Sequence, residues 1–328
     1  MRPFALGPNQ IRRFYRGGAR IAAFRGMPPA EDDAPEDWVA STTTTFGEDD
    51  VGLSRLDNGV RLTDLFTADP EAFFEPAHRS AYGADPAVLL KLLDAGERLP
   101  LHFHPDGPFA AAHLGSPHGK TEAWIILEAE PAARVHLGFS RDLAADELAE
   151  RVTAQDVEGL IDAMNRLPIR AGDSIFVPAG LPHVIGEGIL LLELQEPSDL
   201  SLLLEWKGLM PETEAFLGLP REVALGAVRR SAVSAEEIDH SRSTRGTSLF
   251  PAEADRFFRA DLVASGAPLE PAFSVLLVYE GEGEVRPETA EPLTVKRGSV
   301  VLVPFAAGAV ELAGSSRAIR CRPPVPTS

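Results

Sequence analysis

Two stretches decide the reading of this chain: Gly96-Glu-Arg-Leu-Pro-Leu-His102-Phe103-His104 and Gly172-Asp-Ser-Ile-Phe-Val-Pro178-Ala-Gly180-Leu-Pro-His183. Residues two apart on a strand point to one face, so His102 and His104 project side by side. In the second stretch a Pro- and Gly-rich turn delivers His183 into a following strand. A carboxylate is a common further ligand of such a histidine set. Three imidazoles and one carboxylate suit Zn, Fe, Mn, Ni or Co, with one or two positions left for water or substrate. Read blandly, the histidines are ordinary strand residues. That reading leaves unexplained why both spacings occur together at predicted strand ends.

Outward from this core, short apolar runs dominate: Val88–Leu93, Trp124–Leu127, Val135–Phe139, Ser174–Val177, Ile189–Leu194, Ser274–Tyr279 and Val300–Val303. Gly, Pro and Asp bound them, as in a sandwich or barrel. One stretch departs from the pattern. From Ser140 to Arg166, Leu143, Leu148, Val152, Val157, Leu160, Ile161 and Met164 recur near helical spacing, with Ser140 and Asp142 as candidate caps. This predicts a helical insert over about 140–167. The Pro- and acid-rich stretch from Met27 to Asp37 reads as a surface loop, and the polar stretch from Val228 to Gly246 as a linker. Gly172-x5-Pro178 recurs as Gly298-x5-Pro304, a weak internal repeat implying two copies of one architecture. The second copy has Ala309 where a histidine is expected, and no histidine follows His240, so it is expected to be metal-free. The division expected is a metal-binding domain over 1–228 and a degenerate domain over 229–328.

The 328 residues suffice for about two domains. A formal net charge of −18 without a Lys/Arg cluster argues against nucleic acid and anionic membrane surfaces as partners. The lone cysteine, Cys321, excludes an intrachain disulfide. No apolar run approaches the roughly 20 residues needed to span a bilayer, and Met1 to Arg25 lacks the apolar core of a secretory signal. The expectation is a cytoplasmic protein.

The two histidine patterns together are the two halves of the cupin metal signature. They imply a mainly β fold of two cupin (jelly-roll) β-barrels, the first carrying the helical insert. The flanking sequence sharpens this. Leu89-Leu-Lys-Leu-Leu-Asp-Ala-Gly96, Gly119-Lys120-Thr121-Glu122-Ala123-Trp124 and Gly188-Ile-Leu-Leu-Leu-Glu193-Leu-Gln-Glu-Pro-Ser198-Asp199 resemble, in order and spacing, class I mannose-6-phosphate isomerases. The resemblance is strong over roughly Pro86–Trp206, fainter at Glu36-Asp37-Trp38, and only architectural in the last third. It implies a zinc-dependent aldose–ketose isomerase acting on a sugar or sugar phosphate. The family's ligands fall on His102, His104, Glu122 and His183, its active-site lysine on Lys120, and a carboxylate on Glu193. Moving a carbonyl between C1 and C2 needs protons shuttled through an enediol, which a metal, a base and an acid together provide.

Three positions depart from the family. His102 stands where the family has Gln, Pro100 where it has Ser, and Leu203 where it has Arg. Trp38 and Lys207 are candidate substrate contacts, Lys207 as a replacement for the missing charge. His113 and His118, near the predicted mouth, are weaker candidates. The competing readings are an isomerase of an unphosphorylated or different sugar, an iron-dependent cupin oxygenase, and a non-catalytic sugar-binding cupin. The lysine two residues before Glu122 speaks against the oxygenase; Leu203 favours the binding protein.

Overall fold

A computed structural model describes residues 1–28 and 32–326. The fold is mainly β, built from four antiparallel sheets among the described residues. The ligand sheet runs Leu202–Leu203, His102–Phe103, His183–Ile185, Arg134–Phe139, Met164–Pro168. The central sheet runs Gln10–Ile11, Glu36–Val39, Leu89–Ala95, Ile189–Gln195, Glu122–Ala129, Ser174–Val177. An inner C-terminal sheet is formed by Phe4–Ala5, Val300–Val303, Ser274–Glu280, Arg317–Arg322 and Arg259–Val263, and an outer one by Pro268–Leu269, Val310–Gly314, Glu282–Pro287 and Leu293–Lys296. Among the described residues none of the four closes on itself; they stack face to face as layers.

The layering follows from the alternation of side chains. On Ile189–Gln195, Leu190, Leu192 and Leu194 pack against Val275, Leu277, Leu302 and Ile319 of the inner C-terminal sheet. Ile189 and Leu191, on the other face, pack against Val135, Leu137 and Ile185 of the ligand sheet. A strand buried on both faces reads as a continuous apolar run, which is why Ile-Leu-Leu-Leu showed no alternation. Each such leucine contributes about 1.5–3 kcal/mol of burial. The outer C-terminal sheet closes the stack through Leu312, Val285 and Val295 against Leu276, Val278 and Val301.

The expected helical insert is present as Ala145–Ala154 and Val157–Asp162, followed by the strand Met164–Pro168. Leu148, Val152 and Leu160 bury into a cluster with Phe216, Ala224 and Leu225. The expected caps lie elsewhere. The Ser140 hydroxyl donates to the Ala163 carbonyl (2.9 Å), Asp142 accepts from the Ala232 N–H (2.7 Å), and the helix starts after Ala144 with no side-chain cap. The stretch read as a linker is packed. Val233 joins the apolar core, and Ser234 and Glu237 form a capping box for the helix Ala235–Ser241. Of the stretch read as a surface loop, residues 29–31 lie outside the described residues. Its last two residues, Glu36 and Asp37, are instead buried, because they open a strand paired with Leu93 and Leu92.

The repeated glycines, Gly172 and Gly298, sit at φ +91° and +85°, a region costly for any residue with a Cβ. At Gly298 a Cβ would also lie 2.0 Å from the Phe24 carbonyl oxygen. Without a Cβ, Gly298 lets the end of the helix Ala19–Arg25 pack directly against the C-terminal half. The N-terminal segment also supplies Phe4–Ala5, which pairs with Leu302 and Val301, so it contributes strands to both halves. Among the described residues no helix is long and apolar enough to cross a membrane.

Candidate active site

The three histidines converge from two neighbouring strands and a turn. His183 is the cross-strand partner of His102. The turn before His183 is pinned by the Gly180 N–H, which donates to the His104 carbonyl at 2.7 Å. Each ring has its Nδ1 against a backbone carbonyl: His102 on Pro100 (2.8 Å), His104 on Leu200 (2.9 Å), His183 on Leu181 (2.8 Å). With Nδ1–H donating outward, each Nε2 presents a lone pair inward. His102 Nε2 and His183 Nε2 lie 2.9 Å apart. Burial first, then neighbouring rings and the Lys120 ammonium, hold His102 well below its usual pKa. Burial and Lys120 bring His104 down to about 3, and burial lowers His183. Two unprotonated nitrogens facing at that distance repel unless a cation lies between them. The donor set therefore fits a divalent ion.

Glu122 reaches the same point from the facing central sheet. Its Oε2 lies 3.0 Å from His104 Nε2 and its Oε1 3.3 Å from His183 Nε2. The Trp124 indole N–H donates to Oε1 (2.9 Å) and Lys120 Nζ to Oε2 (2.7 Å). Burial would raise the Glu122 carboxyl, but Lys120 and the imidazoles hold it well below its usual range. Register then sets a row of polar groups beside it. Trp38 pairs with Lys91, Lys91 with Glu193, and Glu193 with Trp124. Glu193 is 3% exposed, 3.6 Å from Lys91 and 3.8 Å from Lys120, and its Oε1 accepts no hydrogen bond. Burial and the nearby Glu122 charge push it up to about 7, against the pull of the two lysines. Burial alone would lower Lys120; Glu122 and Glu193 raise it instead, keeping it an ammonium. Burial likewise works against ionised Glu36, but Arg13, Lys91 and hydrogen bonds from Tyr15 and Trp38 bring it down to about 2.

A mannose-6-phosphate isomerase of Streptococcus mutans is 30% identical over 195 residues, 58% of this chain and 57% of that protein. The mannose-6-phosphate isomerase ManA of Bacillus subtilis is 27% identical over 319 residues, 92% of this chain and 93% of its own. The chain is thus similar to mannose-6-phosphate isomerases, over nearly its whole length in the case of ManA. The alignments to the Streptococcus protein and to a second Bacillus relative span only 57% and 59% of those proteins. No protein-family model matches the chain. A solved mannose 6-phosphate isomerase bound with zinc and yttrium shares the fold at TM-score 0.75 and 16% identity, covering 99% of this chain and 100% of that one.

The cavity beside the histidine cluster is lined by Arg13, Tyr15, Glu36, Lys91, Pro100, His102, Lys120, Glu193, Asp199, Ser201 and Leu203 among others. His102 is thus the histidine on the cavity side, and Leu203, its strand partner, forms the wall beside it. Two sequence-based contacts fall elsewhere. Lys207 is exposed and outside the cavity lining, its backbone N–H held by Gln155 at 3.0 Å. Trp38 is fully buried behind the cavity, its indole N–H donating to Glu36 (2.6 Å) and its ring 4.7 Å from the Lys91 ammonium. His113, on the helix Gly107–His113, and His118 also lie outside the lining. Arg13, Tyr15, Glu36, Lys91 and Asp199 were not assigned to the site from sequence. Lys91 did carry a signal, a lone charge inside Leu-Leu-Lys-Leu-Leu, because a buried lysine needs partners.

Proposed function

We propose that the protein is a metal-dependent aldose–ketose isomerase of the mannose-6-phosphate isomerase type, interconverting mannose 6-phosphate and fructose 6-phosphate or a closely related pair. One observation carries this reading: a buried carboxylate, Glu193, whose Oε1 accepts no hydrogen bond, and a buried ammonium, Lys120, 3.8 Å apart beside the histidine cluster. His102, His104, Glu122 and His183 are the ligands of one divalent ion, for which the zinc-bound relative favours zinc. When bound, that ion supplies Lewis-acid polarisation of a carbonyl.

The protein's own groups move the protons. Glu193, with a pKa about 7, removes the proton from C2 and returns it to C1. Lys120 relays the hydroxyl proton from O2 to O1 through the enediol. Tyr15, Lys91 and Asp199 orient the sugar hydroxyls. In this reading residues 1–228 carry one cupin jelly roll, the ligand and central sheets, and residues 229–328 a metal-free second, whose inner sheet also takes in Phe4–Ala5, in a cytoplasmic enzyme. Leu203, an apolar wall at the family's arginine position, favours the second reading of a non-catalytic sugar-binding cupin. Turnover decides between them. Zinc-loaded protein should isomerise its best sugar, and Lys120→Ala should lower kcat by about 10²–10⁴. Near-normal turnover in Lys120→Ala would reject the lysine's role, and no turnover on free or phosphorylated hexoses would leave the binding protein.

A further inference from the structure

We infer that the Arg13–Asp199 ion pair is a latch opened by the substrate's own phosphate, which takes the place of Asp199 on Arg13 and releases that carboxylate to the sugar hydroxyls. This rests on the isomerase reading of the site, and it gives a role to an N-terminal residue that the metal chemistry does not use. A row of alternating charge leads out from the histidine cluster. Glu122, Lys120, Glu193, Lys91, Asp199 and Arg13 follow one another at 2.7, 3.8, 3.6, 3.9 and 3.0 Å. The cavity along this row holds about 50 Å³, well under the roughly 300–1,000 Å³ of a small-molecule site. Outside it lies a second cavity of about 910 Å³. Arg13, Phe14 and Asp199 line both, so the ion pair forms part of the wall between them. A hexose phosphate with its carbonyl at the histidines and C6 outward meets that wall with its phosphate.

The pair is suited to exchanging partners. The backbone around Arg13 is held in place: its N–H donates to the Asp33 carbonyl at 2.9 Å, and the Gly17 N–H to that of Asp32 at 2.8 Å, so the side chain is the part that moves. Arg13 gives Asp199 two hydrogen bonds, at 3.0 and 3.2 Å, but its buried Nε has no hydrogen-bond partner, with Glu36 3.4 Å away. Lys91 Nζ comes no nearer than 3.6 Å to Glu36, Glu193 or Asp199, so its N–H groups are available as well. A phosphate dianion brings three acceptor oxygens and up to twice the charge of a carboxylate, enough to engage Arg13 and Lys91 together. Asp199 keeps partners when Arg13 leaves it. Its Oδ2 still accepts from the Phe46 N–H at 3.3 Å, its Oδ1 faces Lys91, and a sugar hydroxyl can donate to it. A sugar without the phosphate leaves the latch closed.

The test measures calorimetric Kd and kcat/KM for mannose and mannose 6-phosphate on the full-length, zinc-loaded protein. The phosphate should bind more tightly than mannose, and inorganic phosphate should compete with mannose 6-phosphate. Arg13→Met should lower the phosphate-to-mannose preference about tenfold or more, the scale of a charge-assisted hydrogen bond. Asp199→Asn, which weakens the competing partner, should tighten mannose 6-phosphate binding about tenfold while lowering kcat, a split that a merely structural ion pair would not produce. An unchanged preference in Arg13→Met, no tightening in Asp199→Asn, or inorganic phosphate binding without competition would each overturn the inference. Should Arg13→Met not fold, the Asp199→Asn and competition results decide. If neither sugar turns over, the isomerase reading fails on its own account, and the Kd values still decide the latch; a wild type that binds mannose as tightly as its phosphate, or binds neither, overturns it.

Discussion

Glu193→Gln tests the buried carboxylate at the centre of the site through stability. The folded-state pKa of Glu193 is about 7, against 4.5 for an unperturbed glutamate. Between these values the native protein binds more protons than the unfolded chain, so this group's contribution falls as pH rises from about 4.5 to about 7 and then levels off. The whole interval corresponds to about 3 kcal/mol, of which about 2.5 kcal/mol falls between pH 5 and pH 8. Glutamine does not titrate, so the variant should lose this slope. The assay is urea unfolding of chelator-treated wild type and Glu193→Gln at pH 5, 6, 7 and 8. The variant should gain about 2–3 kcal/mol relative to wild type across that range. Taking the difference cancels the other titrating groups. Parallel pH curves for the two proteins would refute the reasoning, because they would mean that Glu193 ionises in the folded protein as it does in water.

Two further outcomes are expected. Elemental analysis of the purified protein should find close to one divalent metal per chain, and His104→Ala or His183→Ala should lose it; full retention in both would exclude the three-histidine centre. Gly298→Ala places a Cβ against the Phe24 carbonyl at φ +85°, so it should lower the unfolding free energy by about 1–3 kcal/mol in a denaturant melt; an unchanged midpoint would mean the helix Ala19–Arg25 yields freely.

Much of the candidate site could be read locally. The two-residue spacing brought the His102 and His104 rings together although the strand ends at Phe103, the Pro178–His183 turn aimed a third imidazole, and the apolar runs Ser174–Val177 and Val300–Val303 became strands with those bounds. These readings hold because side-chain alternation and turn geometry are set within a few residues. The surroundings of the metal ligands were not legible in that way. Lys91 is a site residue because its strand pairs with both Glu36–Val39 and Ile189–Gln195 in one register; a slip of one residue would turn it toward the C-terminal half. Arg13 meets Asp199 across 186 residues of chain, and Phe4–Ala5 completes a sheet whose next strand begins at Val300. Lys207, with a plausible charge and a nearby number, is exposed and outside the cavity lining. Spacing along the chain determined which groups share a strand; only the packing of strands distant in sequence decided which charges share a cavity, because pairing register and layer order are properties of the whole fold.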